Sequence, residues 1–306
     1  MEKKYRLVTR SDMDGLVCAV LLKHIDLIDQ IDFVHPKDMQ DGKINIDSND
    51  ITTNLPYVEG VHLAFDHHAS EVIRVGEKDN HIIDPDAPSA ARVVYDHYSD
   101  KADFPESFNS MLEAVDKADS AKFTKEEILD PQGWVLLSFL MDARTGLGRF
   151  KEFKVSNYNL MMDLIDYCRN HKISEILEHD DVMERVELYS RYEDKFKDQL
   201  TQCSTLHDKT VVIDLRNEST IYPGNRFVIY ALHPQSNISI HVMQGKDNLN
   251  TVLAVGKSIF DKSSTVNIGE IMLSYGGGGH TAAGTCQIDN DKADAVLNEI
   301  IAKINA

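Results

Sequence analysis

Apolar runs of two lengths alternate through the first third of the chain. Runs of four or five residues, RLVT at 6–9, IDFVH at 31–35 and VHLAF at 61–65, read as short buried strands. LVCAVLLKHIDLI and SAARVVYDHY, placed among them, are long enough to be helices. Strand and crossover helix in alternation predict a mostly parallel sheet flanked by helices. From about residue 104 to 203 the spacing turns helical, in NSMLEAVDKA, GWVLLSFLMDA and NYNLMMDLIDYCRN, whose Met, Leu and Trp positions read as the core of packed helices. Charges crowd and apolar positions thin out from Ser174 to Gln202, as in a solvated connecting helix. Strand-like runs return in KTVVIDL, RFVIYAL, ISIHVMQ and TVLAVGKSI, followed by a glycine run and a closing amphipathic helix, KADAVLNEIIAKI. The expected architecture is α/β. A domain over 1–180 carries the mostly parallel sheet, a connecting helix spans 181–203, and a smaller α/β domain covers 204–306.

Composition narrows the chemistry. The 306 residues, 42% hydrophobic, suffice for two cores. A net charge of −18 supplies no basic field for long nucleic acid, so a small anionic ligand would need metal ions or a local cluster of Lys and Arg. Cys18, Cys168, Cys203 and Cys286 are widely separated with no CxxC pair, so they read as intracellular thiols and the expected location is cytoplasmic. The charged opening MEKKYRLVTR lacks the apolar stretch of a signal peptide, and no apolar run reaches the length of about 18 residues that predicts a membrane span.

Two strand ends carry the candidate chemistry. HLAFDHHASE at 62–71 would deliver Asp66, His67 and His68 to a strand's carboxyl end, the edge where open α/β sheets bind ligands. A single histidine there is usually a hydrogen-bonded core residue. Two adjacent ones beside an acid are harder to satisfy, because each ring faces a different side and needs its own partner. In RLVTRSDMDGLVCAVLLK, Asp12 and Asp14 sit in a turn before an apolar helix that Gly15 opens. Acids at i and i+2 in a turn can meet at one hard cation, or can simply cap the helix and favour its positive end. Near the other end, four glycines in SYGGGGHTAAG would let the backbone approach a phosphate, their amides and a following helix start would favour an anion, and His280 could donate to it.

With Asp66-His67-His68 and Asp12-Met13-Asp14-Gly15 together, the sequence resembles the DHH phosphoesterase superfamily. Its members are metal-dependent enzymes that hydrolyse phosphodiesters or phosphoanhydrides, among them nanoRNases, RecJ-type exonucleases, exopolyphosphatases and family II pyrophosphatases. Residues 274–284 are similar to the signature of the DHH-associated carboxyl-terminal domain, and VGKSIFDKSSTVNIGEIMLSYGGGGH matches the spacing between a basic-Ser pair and the glycine run. The resemblance implies two Mn²⁺ or Mg²⁺ ions. Asp12 would serve the first ion, and Asp14 and His67 the second. Asp66 would orient His67, and His68 would lie nearer the substrate phosphate. The fourth motif matches Asp119-Ser120-Ala121-Lys122-Phe123 and assigns Asp119, with Asp116 as the alternate. Lys257, Ser258, Gly276, Gly277, Gly278, Gly279 and His280 would hold the substrate.

The sequence departs from the family's pattern at two positions. Relatives carry a histidine four residues before the first acid, where this chain has Val8, which leaves the first ion short of a ligand; His35 is a candidate to complete it. The bridging aspartate is expected at a strand end that falls on Asn54. Asp50 is the better carboxylate ligand by residue type, with Asn54 as the alternate. The expected activity is hydrolysis of very short oligonucleotides or linear dinucleotides, such as pGpG or pApA, to mononucleotides, by a monomer or a homodimer. The alternatives are an exopolyphosphatase or other phosphoanhydride hydrolase, and a non-catalytic nucleotide-binding module.

Overall fold

The run RLVT forms the middle of β1 (Tyr5–Arg10), whose inner residues Leu7, Val8 and Thr9 are fully buried in a computed structural model. It describes residues 3–305; Met1, Glu2 and Ala306, at the outer limits of the two expected domains, lie outside the described residues. With β2 (Ile28–Val34), β3 (Asp50–Thr53), β4 (Leu63–Asp66) and β5 (His81–Ile83), β1 makes a sheet of order β2-β1-β3-β4-β5 in which every pair is parallel. The carboxyl ends of all five strands therefore share one edge.

Helices cover both faces. α1 (Met13–His24) is buried at every position from Met13 to Leu22, so its sequence is apolar all round instead of striped. α2 (Pro36–Gln40) and α3 (Ala69–Val75) cover the face carrying Val8 and Ala64, through Met39 and Val75. α4 (Ala90–Tyr98), α5 (Phe108–Asp119) and α8 pack against α1, where α8 is Asn157–Asn170, preceded by α6 (Lys125–Leu129) and α7 (Gly133–Met141). α9 (Ile173–Leu177) leads into α10 (Asp180–Gln202).

Two compact units result. One comprises the residues through Phe123 together with Pro131–Leu188; the other comprises Thr124–Asp130 and the chain from Tyr189 on. The second unit holds a mixed sheet of order β10-β11-β9-β8-β7-β6, built from β6 (Ser204–His207), β7 (Thr210–Asp214), β8 (Ile238–Gln244), β9 (Thr251–Lys257), β10 (Gly278–His280) and β11 (Ala283–Ile288). Only β7 and β8 pair in parallel. Between these strands lie α11 (Val228–Leu232) and α12 (Ile268–Ser274), and the chain closes with α13 (Ala293–Asn305). Ile240, Val242, Leu253 and Val255 bury one sheet face with Ile268, Met272 and Ile300.

Two local readings are corrected. RFVIYAL is the short helix α11, not a strand: its residues Phe227–Ala231 are buried on all sides, and such a run has no period that separates strand from helix. No helix starts after the glycine run either, because Gly278–His280 form β10 and the chain returns directly as β11. Among the described residues, no helix is long and apolar enough to cross a membrane.

The tightest joint in the first unit is the turn from β1 into α1. A Cβ on Gly15 would lie 2.0 Å from the Arg10 carbonyl oxygen and 2.7 Å from Thr9 Oγ1. Gly15→Ala is expected to cost about 1–3 kcal/mol of stability, seen as a lowered thermal midpoint. An unchanged midpoint would mean that α1 shifts freely against β1.

Candidate metal centre

At the carboxyl edge of the parallel sheet the chain collects three acids and an imidazole. Asp12 follows β1 and caps α1, accepting from Gly15 N at 3.0 Å. Asp14, in the first turn of α1, is 2% exposed; its two carboxylate oxygens accept the amides of Ala90 at 2.9 Å and Ala91 at 2.7 Å. Those amides begin α4, where the helix's unpaired N–H groups favour an anion. Asp119 ends α5. His67 follows β4, with Nε2 3.0 Å from an Asp119 oxygen and 4.0 Å from an Asp14 oxygen.

Ligand atoms of Asp14, His67 and Asp119 all lie within 4.8 Å of one another. His67 Nδ1 donates to the Ala87 carbonyl at 3.2 Å, which leaves Nε2 facing the acids, where a cation would take the place of its proton. That buried Nε2 is aimed at the Asp119 oxygen, with Asp14 behind it. An imidazole nitrogen held by a backbone carbonyl on its far side, opposite two carboxylates, is a donor set that fits a divalent cation. The electrostatics agree. Burial, followed by the Asp119 and Asp12 charges, pushes the Asp14 carboxyl well above its ordinary range, and burial likewise raises Asp12. Burial works against a charged His67, yet the Asp119 and Asp14 carboxylates outweigh it and hold the ring's pKa above normal. A cation here would relieve this crowding of negative charge.

Asp66 is 1% exposed and acts through its neighbours. One of its oxygens accepts His67 N at 2.8 Å and His68 Nδ1 at 2.7 Å, and this bond raises the His68 pKa despite burial. Its second oxygen is buried without a hydrogen bond. His68 stands at the N-terminus of α3 with about a third of its side chain exposed.

Several expected residues are placed elsewhere. Asp50 opens β3, about 10 Å along the strand from the carboxyl edge that Thr53 closes. Its carboxylate is bound by Arg6 through Nε at 2.8 Å and a terminal nitrogen at 2.9 Å, and it also accepts Asp47 N. Asn54 occupies the strand end instead, at a left-handed φ of 54° that asparagine tolerates, 2% exposed, with Nδ2 3.3 Å from Asp12 Oδ1. Residue type favoured Asp50; strand register favours Asn54. His35 is exposed and caps α2 by accepting Lys37 N at 3.1 Å, and it is not in the group of Asp14, His67 and Asp119.

Asp116 is not in the cluster either, but it ties the cluster's supports together. It accepts Ser89 Oγ at 2.7 Å and the Arg92 guanidinium. Ser89 caps the α4 terminus whose amides hold Asp14, and Asp116 lies one turn before Asp119 on α5. Ser89 was readable as an N-cap in SAARVV; the carbonyl of Ala87 and the amides of Ala90 and Ala91 carry no side-chain signal in a sequence.

In the second unit, register puts Gly278, opposite Thr285, and His280, opposite Ala283, on one face of the sheet, both exposed. Lys257 alternates onto the other face with Val255, and its Nζ donates to the Ser264 carbonyl at 3.1 Å. Ser258 is buried and its Oγ accepts the amides of Phe260 and Asp261. The glycines also divide. Gly276 has φ 76°, and a Cβ on Gly277 or Gly279 would strike the β11 backbone at 2.2 or 2.3 Å, whereas a Cβ on Gly278 would meet nothing within 4 Å. Three of the four are thus required by the fold, and the fourth is not.

Set beside known structures, the chain is 60% identical to a pGpG-specific phosphodiesterase, PggH, from Vibrio cholerae, over 99% of both chains and with a TM-score of 0.88. RecJ from Thermus thermophilus in complex with Mn²⁺ matches at 14% identity over 99% of this chain and 52% of that one, with a TM-score of 0.55. CDC45 from Entamoeba histolytica matches at 8% identity over 99% and 96%, with a TM-score of 0.52. The last two are likenesses of fold. No protein-family model matches the chain, and no curated protein does.

Asp116→Ala is expected to weaken Mn²⁺ binding about 10- to 100-fold in a calorimetric titration while the chain stays folded. Unchanged affinity would show that the Ser89–Arg92–Asp116 tie does not position the ligands.

Proposed function

The chain belongs to the DHH phosphoesterase superfamily, and on that premise we propose that it is a metal-dependent phosphodiesterase that hydrolyses linear dinucleotides such as pGpG to mononucleotides. The observation that carries this reading is the 60% identity, over the full length, to an enzyme of that specificity. The cluster of Asp14, His67 and Asp119 supports it, since these residues would hold a Mn²⁺ or Mg²⁺ ion. When bound, such an ion supplies a Lewis acid and a positive charge for the phosphate.

The remaining work falls to the protein. Asp66 fixes the His68 ring through Nδ1 and raises its pKa, so the charged ring can donate toward a phosphate oxygen or the leaving oxygen. In our reading residues 1–180 carry this chemistry and residues 204–306 hold the substrate, joined by 181–203. His280 and the backbone at Gly278 then bind part of the nucleotide, with Lys257 and Ser258 supporting the loop that follows β9. The acidic overall charge fits a small substrate gripped locally better than a long nucleic acid.

Chromatography of pGpG and pApA digests, beside phosphate release from pyrophosphate and polyphosphate, with and without Mn²⁺, tests the assignment. Mononucleotides are expected from the dinucleotides only with metal. Phosphate release from polyphosphate alone would favour the phosphoanhydride hydrolase, and binding of nucleotide without turnover the non-catalytic module. His67→Ala is expected to abolish turnover; full activity in that variant would refute the site. Gly278→Val is expected to keep the fold and raise KM for pGpG about tenfold or more, because its side chain would fill the space a ligand needs. An unaltered KM would remove Gly278 from the substrate surface.

A further inference from the structure

This chain departs from its family at Asn54, which contacts Asp12, and at Val8 on the strand that leads to it, and we propose that the two have a common consequence: the chain holds one divalent ion, at Asp14, His67 and Asp119, and the Arg10 guanidinium stands where a second would lie. The proposal rests on the metal-dependent reading above and narrows it.

Asp12 has little left to offer a cation. Oδ1 accepts Gly15 N at 3.0 Å and Asn54 Nδ2 at 3.3 Å, while Oδ2 is paired with Arg10 Nε at 2.8 Å. An ion there would have to displace Arg10 and turn the Asn54 amide. The other ligands that would repay this are missing. Val8 is fully buried against Met39 and Leu55 and offers no donor atom. Asn54 supplies a neutral oxygen at best, which cannot draw two cations together as a bridging carboxylate does. Asp50 and His35 are engaged elsewhere, by Arg6 and by the α2 amide. Among the described residues the Asp14, His67 and Asp119 group alone has three ligand atoms in mutual reach.

Charge leads to the same count. Asp12, Asp14 and Asp119 bring three negative charges, which one divalent ion and the Arg10 guanidinium neutralise with His67 neutral as a ligand, while Arg144, the other guanidinium that feels Asp12 and Asp119, is paired with Asp142. Arg10 ends β1 at the ligand-binding edge with 37% of its side chain exposed, so the same guanidinium can reach a non-bridging phosphate oxygen, a contact for which its planar fork is suited.

Protein stripped of metal by chelation, titrated with MnCl₂ in a calorimeter and followed by electron paramagnetic resonance, tests the count without reference to activity. One site per chain and a mononuclear six-line spectrum at saturation are expected. Two sites with a spin-coupled spectrum would overturn the proposal and leave the phosphodiesterase reading standing. Failure to bind any Mn²⁺ would overturn both. Arg10→Met separates Arg10's part: turnover of pGpG is expected to fall about tenfold or more while Mn²⁺ binding is not weakened, because removing a positive charge beside a cation site does not disfavour the cation. Loss of metal binding and turnover together, or of neither, would overturn the role given to Arg10. Should Arg10→Met not fold, the stoichiometry of the unaltered chain decides alone.

Discussion

Three carboxylates brought close to one imidazole at a mostly buried strand edge repel one another, and this repulsion is the constraint around which the first unit is organised. Such an arrangement persists only where the surrounding chain fixes each acid. Asp14 is held by the opening amides of α4, Asp12 by its own helix cap and Arg10, and Asp119 by the end of α5. His67 is pinned from behind by the Ala87 carbonyl. The binding energy of a cation would then be stored in advance as electrostatic strain among positioned ligands, and the cation itself would complete the site.

The parallel sheet explains why these residues meet. β1 and β4 both end at the carboxyl edge with only β3 between them, so Asp12 and His67, distant in sequence, leave strand ends one strand apart. α4 and α5 add the rest through one tie, in which Asp116 joins the Ser89 cap to the helix that ends in Asp119. A one-residue slip of either helix would separate the acids. The same sheet also moves Asp50 away, because a residue at the start of a parallel strand cannot serve a site at its end.

Much of this was legible in the amino-acid order. Alternating short and long apolar runs gave the parallel sheet and its helices, and the acid-rich strand ends at 12–14 and 66–68 marked the edge. What stayed hidden has physical reasons. Fully buried runs such as RFVIYAL carry no period, so a short helix passes for a strand. Residue type pointed to Asp50, and only strand register shows that Asn54, not Asp50, stands at the edge beside Asp12. The glycine run looked like a phosphate loop, yet two of its glycines are demanded by hairpin packing against β11 and a third by a left-handed φ. Backbone groups such as the Ala90 and Ala91 amides, which hold the most buried acid, have no letter in the sequence at all.

A crystal of the protein soaked in Mn²⁺ and measured at the manganese absorption edge gives the most direct test of the centre. The expected result is one anomalous peak within coordination distance of His67 Nε2 and of oxygens from Asp14 and Asp119. A peak coordinated by Asp50, or none near His67, would contradict the assignment of this strand edge as the metal centre.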